Sequence, residues 1–488
     1  MGTANRMQLA MVRETTLGTT PNTPRMRGAR FTGESLAFNQ TFVDSNEIRS
    51  DRMLGDPIKT MAASQGSINI EMNYPVDNSP ESDILRSAFY NTWTNTNSRD
   101  NDGTAASIIT AVATTNTVLT VTTGTTFVIG ELYKFSGFGV ANNNGNFKVT
   151  TGSATVPRFV GSGITDEASP AAAARVKCIG FQGAAGDITA TSTGLASSSL
   201  DFTTIPGIVA GKWIKIDSTT SALGFATAAL NDWMRITVVA AHAITLDNRP
   251  SGWTTDNGSG KTITVYFGDY IQNGTTQTSL SIERGFMDQT SPTYIINTGM
   301  VVDTYDITIT SKAVVTGAVA FMGMGGSQST TALDASIDAN QTGASMAANA
   351  NVGRVAEAGS TLTSPNWAHS LKFQIKNNNR QLEAVDSTSP VGVNPGECTV
   401  TGTMETYFGS NSLLTKFYAG TATAINSRVA KNNQALIWQF PRVIYKGNGN
   451  PQATGKNTDV MASFDFSAVY DSTLTLKQVQ LDRFEYYA

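Results

Sequence analysis

The sequence predicts a mainly β protein: two tandem copies of one sandwich or barrel module, each with a flanking helix, plus two small β domains inserted into the first copy. Three observations carry that expectation. Ile68, Ile70, Met72 and Tyr74 alternate with Ser67, Asn69, Glu71 and Asn73, the period of a strand with one dry and one wet face. The same strand-then-helix pattern returns near the C-terminus. Charged residues make up only 15% of 488 residues and glycine is plentiful at 44, which suits strands and turns better than helices.

Residues 1–30 are rich in Thr, Pro and Arg and show no alternation, so they read as an extended arm bound to a neighbour, with Pro21 and Pro24 opposing helix. The first module begins at 31–103, with a strand near 31–48. The segment 50–65, SDRMLGDPIKTMAASQ, is longer than a hairpin turn requires and reads as a contact loop. After the alternating strand, Pro75–Asn78 breaks the chain. Ser79 can cap a helix, Pro80 suits its first position, and Glu81 and Asp83 suit the positive end of its dipole. Ile84, Leu85, Ala88 and Phe89 fall on one face of that helix.

Residues 104–181 and 182–269 share a grammar of apolar strand, Gly turn, aromatic strand, loop and strand. Gly130, Tyr133 and Phe135 mark the first; Gly211, Trp213 and Ile216 mark the second. They read as tandem domains inserted in a surface loop and projecting outward, where an insertion costs little. The first module resumes at 270–325, and 326–359 is a Gly-, Ala-, Ser- and Asn-rich linker.

The second module spans 360–488. Cys398, Val400, Gly402 and Met404 alternate with Thr399, Thr401, Thr403 and Glu405, and Leu413, Leu414 and Phe417 match the helical face of the first copy. SLAF at 35–38 pairs with SLKF at 370–373, TSLSIERGF at 278–286 with ALIWQFPRV at 435–443, and DTYDITITSKAVV at 303–315 with DVMASFDFSAVYD at 459–471. Each match is weak; their common order argues for duplication.

Chemistry is sparse. His242 and His369 have no Cys, Asp or Glu at metal-ligand spacing, and no nucleophile elbow, zinc-protease motif or phosphate loop occurs. Glu71 and Glu405 could be offered as paired acids, but no aromatic sugar platform accompanies them. The expectation is a non-enzyme with no catalytic residue, no cofactor and no metal. Cys178 and Cys398 read as free thiols. No signal peptide, myristoylation site or membrane-spanning run is expected. A net charge of −4 gives no general nucleic-acid-binding surface.

The pattern suggests assembly. The wet faces carry Asn69, Glu71, Asn73, Thr401, Thr403 and Glu405, with almost no Lys or Arg. Closed into a ring, such faces would line a weakly acidic channel in which DNA phosphates find no cationic partner. Closure also removes sheet edges that invite aggregation.

Several stretches then resemble the major tail tube proteins of long-tailed (siphovirus-type) bacteriophages. They are ETTLGTTPNTP at 14–24, GESL at 33–36, SNEIRSDR at 45–52, EMNY with the ILRSAF helix, LSIERGF through VTGAVAFMGMGG at 280–325, and VTGTMETYF at 400–408. They span about half the chain, the inserts lying outside. The resemblance implies a tube fold, a place in the virion after assembly in the host cytoplasm, and rings stacked for genome delivery. It also implies tape measure and tail completion or tip proteins as partners, with viral DNA passing unbound. Family members bring one fold per chain to six-membered rings; two folds per chain would fill the circumference with three chains, a pseudo-sixfold trimer. Arg49, Asp51, Arg52 and Asp56, with apolar Met53 and Leu54, would then dock one ring on the next. A hexamer with one fold per chain, a carbohydrate-binding or adhesive surface protein, and a polysaccharide-degrading tail enzyme stay open as alternatives.

Overall fold

The computed structural model describes residues 3–115, 118–160, 163–447, 449–453, 455–473 and 477–488. The first module contains β1 (Met7–Arg13), β2 (Ala37–Val43), β3 (Ile58–Glu71), α1 (Pro80–Phe89), β4 (Leu280–Phe286), β5 (Thr293–Thr310), β6 (Thr316–Met322) and β7 (Gly325–Ser329). The second contains α2 (Ala348–Asn351), β8 (Val352–Glu357), β9 (Ala368–Lys376), β10 (Thr399–Tyr407), α3 (Ser412–Ala419), β11 (Thr423–Lys431), β12 (Gln434–Lys446), β13 (Met461–Ala468) and β14 (Gln480–Phe484).

The two modules repeat one antiparallel pairing scheme. In the first, β2 pairs β3, β3 pairs β6, and β6 pairs the second half of β5; the first half of β5 crosses to an outer sheet with β4, β1 and β7. In the second, β9 pairs β10, β10 pairs β13, and β13 pairs the end of β12, whose first half joins β11, β8 and β14 outside. Each module is therefore a sandwich with an inner and an outer sheet, tied at a corner by one long strand. Its apolar faces meet in a shared core that includes Ile68, Met72, Val302, Ile307, Phe373, Met404, Trp438 and Phe464.

α1 and α3 form where the sequence signals placed them, whereas α2 falls in the expected linker. Ser82 N–H donates to Ser79 Oγ (3.1 Å), Pro80 takes the first position, and Tyr90 closes α1 in the left-handed region at φ 50°. Ile84, Leu85, Ala88 and Phe89 are all buried.

Several boundaries differ from the sequence reading, each for a physical reason. Residues 7–13, expected in an arm, form β1 against β4 with Leu9, Ala10 and Met11 buried; apolar residues on both parities hide the alternation. β3 begins at Ile58, inside the expected loop, so the connection to β2 is only 44–57. β8 lies in the expected linker and pairs β11 as β1 pairs β4. The expected match of 278–286 with 435–443 is displaced by one strand. By connectivity β4 corresponds to β11, and β5 to β12; hairpin strands of equal period cannot be told apart by alternation alone.

The two inserts share one sheet and one core. Arg175–Gln182 pairs Glu131–Ser136 of the first and Thr264–Tyr266 of the second, and Phe135, Cys178, Trp213 and Ile263 belong to one cluster. The insert does not stand free of the modules. Trp233 meets Phe484 and Tyr487 edge-on at 4.7 and 4.9 Å, and Ala435 and Ile437 of β12 enter its core. A buried ionic cluster anchors it: Lys177 Nζ lies 2.6 Å from Asp269 and 2.7 Å from Asp77, and Arg483 reaches both carboxylates. Burial alone would raise Asp77, but Lys177, Arg483 and Arg175 hold it well below the usual carboxylate range.

Candidate functional surface: the wet face and rims of the inner sheet

The inner sheets of the two modules are continuous. β5 of the first pairs β9 of the second over seven registered positions, from Thr304↔Lys376 to Thr310↔Ser370. One sheet therefore runs β2, β3, β6, β5, β9, β10, β13, β12, all antiparallel. It has two ends. Among the described residues β2 is partnered on one side only, by β3, and residues 444–446 of β12 only by β13.

Registered pairs carry rows of side chains straight across this sheet. One row is Glu71, Thr316, Thr308, Lys372, Thr403, Asp465 and Lys446. The next is Asn69, Ala318, Asp306, Gln374, Thr401, Ser467 and Ile444. Glu405 stands in a third row between Ser370 and Ser463. Asn69, Glu71, Thr401, Thr403 and Glu405 thus share one polar face, although they come from two modules. Asn73 does not belong with them: it lies past the end of β3 and is buried, because the chain turns inward toward α1 there.

The face holds a shallow depression of about 480 Å³ over Thr308, Lys372, Gln374, Thr401, Thr403 and Asp465. Its groups are largely tied to one another. Thr403 Oγ1 donates to Asp465 (2.6 Å), Gln374 Nε2 donates to Asp306 (2.8 Å), and His369 Nδ1 lies 2.8 Å from Glu405. Burial raises the Asp306 carboxyl above its ordinary value. Strands not read for this face in the sequence add Lys372, Lys376 and Lys446, so the face mixes both signs. Glu71, Asp306, Glu405 and Asp465 share the face with the three lysines. The registers, not the local motifs, bring these charges together.

The residues expected to make contacts all lie on the β2–β3 hairpin, at the rim above this face. Arg49, Asp51, Arg52, Met53, Leu54 and Asp56 are exposed. Arg49 and Asp51 pair with each other at 2.6 Å, which raises the former's pKa and lowers the latter's. The hairpin also exposes Phe42, Val43, Ile48 and Ile58, each more than half accessible, and sequence reading passed over these.

The matching β9–β10 connection, residues 377–398, is folded down onto the first module. Asn377 Nδ2 donates to Ala88 O and Val302 O, Tyr90 OH donates to Asn379 Oδ1 (2.6 Å), Gln381 Nε2 donates to Gly323 O, and Ala62 N–H donates to Thr388 O. Only the Asn-rich run NNN at 377–379 hints at this in the sequence.

Among the described residues no group of three or more His, Cys, Asp or Glu could hold a metal ion, and no helix is long and apolar enough to cross a membrane. Both cysteines are free thiols. A family model described as phage tail tube protein matches residues 4–468. Comparison with curated proteins finds no match.

Proposed function

The chain belongs to the phage tail tube protein family, and from that premise we propose that three copies close into a ring by repeating between chains the seam that joins the two modules within one. The protein is a structural component of a phage tail. The observation that carries the ring is β5·β9: a module's corner strand accepts, on its free side, the second strand of the next module. Within the chain this occurs once. At the ends, β12 offers the edge that corresponds to β5, and β2 is the strand that corresponds to β9. Docking β2 of one copy on β12 of the next satisfies both unpaired ladders and leaves no edge.

Two modules per chain give a three-chain ring with pseudo-sixfold symmetry. The polar face described above lines its bore, with the outer sheets and insert outside. Rings stacked end to end form the conduit for genome delivery, and DNA passes a wall whose lysines are balanced by carboxylates. No catalytic step is assigned to the protein.

Native mass spectrometry of the assembling protein tests the ring. The expected species has three times the 51.7 kDa chain mass, followed by tubes of that ring in electron micrographs. Rings of two, four or six chains, or a chain that stays solitary at every concentration, would overturn the proposal.

A further inference from the structure

The two helices occupy corresponding places and are covered to different degrees. In α1, Ser82, Asp83, Ile84, Leu85, Ser87, Ala88 and Phe89 are buried, whereas in α3 only Leu413 is. A Phe–Tyr pair stands near the C-terminus of each helix: Phe89–Tyr90 closes α1 with Tyr90 as its cap, and Phe417–Tyr418 lies in the last turn of α3, which Gly420 caps. Tyr90 is 3% exposed and Tyr418 is 68% exposed. The cover on Tyr90 comes from the β9–β10 connection: Asn379 Oδ1 accepts a hydrogen bond from its hydroxyl, and Val393 packs with Tyr90 and Val301. On the segment leaving β13, Tyr470 is 59% exposed, where the corresponding exit of β6 is held by Gln381 on Gly323 O.

From this asymmetry we infer that the surface around Tyr418 and Tyr470 is the receptor for the β2–β3 hairpin of a second copy of this chain, bound side by side within one ring. The inference rests on the ring reading above. The occupant is specified because β2–β3 is the counterpart of β9–β10, the hairpin that fills the matching site inside the chain. It is also the element with apolar groups to bury: Phe42 is 51% exposed, Val43 52%, Met53 69% and Leu54 71%. A solitary chain leaves an exposed hairpin at one end of its inner sheet and an exposed receptor near the other, where Tyr418 keeps one contact, its OH donating to Asn450 Oδ1; the seam between β2 and β12 brings the two together. The hairpin contacts expected between successive rings are thereby assigned to neighbours in the same ring.

A benzoylphenylalanine at position 418 of the full chain, photoactivated in isolated unstacked rings, tests the assignment. The expected product is a covalent dimer whose cross-link maps to residues 42–58 of the other chain. Met53→Asp with Leu54→Asp should lower its yield about tenfold or more, since each apolar side chain contributes on the order of a tenfold factor when buried. Rings that form but give no such adduct, or give it only after stacking into tubes, would overturn the inference and leave the ring reading intact. If no rings form at any concentration, both fall together.

Discussion

Glu131 shows how one buried side chain can tune this protein. It is fully enclosed in the insert, where its carboxylate accepts from Val128 N–H and Tyr133 OH, both at 2.8 Å, with Cys178 Sγ 3.8 Å away. Burial pushes its pKa up from 4.5 to about 7, outweighing those hydrogen bonds. Below pH about 4.5 the group is neutral in folded and unfolded chains alike, and its contribution to stability is fully present. As pH rises toward about 7 the unfolded chain ionises first and stability falls, by on the order of 3 kcal/mol in total. Glu131→Gln keeps an oxygen for the two donors and removes the charge. Denaturant unfolding should show the variant gaining up to about 3 kcal/mol over the parent at pH 8 and nearly nothing at pH 4.5; an equal gain at both would refute the assignment.

At the scale of the element, the decisive feature is the direction of the free groups on β2. Ser35 N–H donates to Ser67 O, and the register with β3 runs unbroken from there to Thr41. Even-numbered residues therefore aim their N–H groups away from β3, and Gln40 presents one to the open edge. Gln40→Pro removes no bond within the chain but blocks the ladder that a neighbour would form. The expected result is a monomer with unchanged far-ultraviolet circular dichroism and no rings by sedimentation, while Asn39→Pro destabilises the monomer itself. Rings from the Gln40→Pro protein would rule out the β2 seam. Elements such as β3, β10 and α1 were legible in the sequence because alternation or a cap marks each one locally, as Ile68 to Glu71 and Ser79–Pro80 do. β1 was not, since Ala10 and Val12 fill the parity that polar residues would need to reveal the strand. The correspondence of β4 to β11 was also hidden, because equivalence of strands is fixed by partners and not by their own periodicity. For the candidate surface, local reading found five residues that share a face, misplaced Asn73, and missed Lys372, Lys376 and Lys446. Those lysines reach the face only through registers between modules.

For the whole molecule, duplication turns a lateral contact into an internal one. The β5·β9 seam lies within one chain, so in the proposed ring half of the joints would form when the chain folds, without the association entropy that separate subunits lose. In that ring the bore would depend on charge balance across rows that the registers of one chain already bring into line. Asn69 and Thr401 stand in the same row and project from strands whose ladders do not involve their side chains. Asn69→Arg with Thr401→Arg should leave assembly intact and give the wall an excess of cations. Short duplex DNA should then bind the variant tubes, with an affinity that falls steeply as salt rises, while parent tubes retain none under the same conditions. Fluorescence anisotropy of labelled DNA reads the difference. Equal binding by both would mean that the two arginines do not meet the DNA, and that this face does not line the bore.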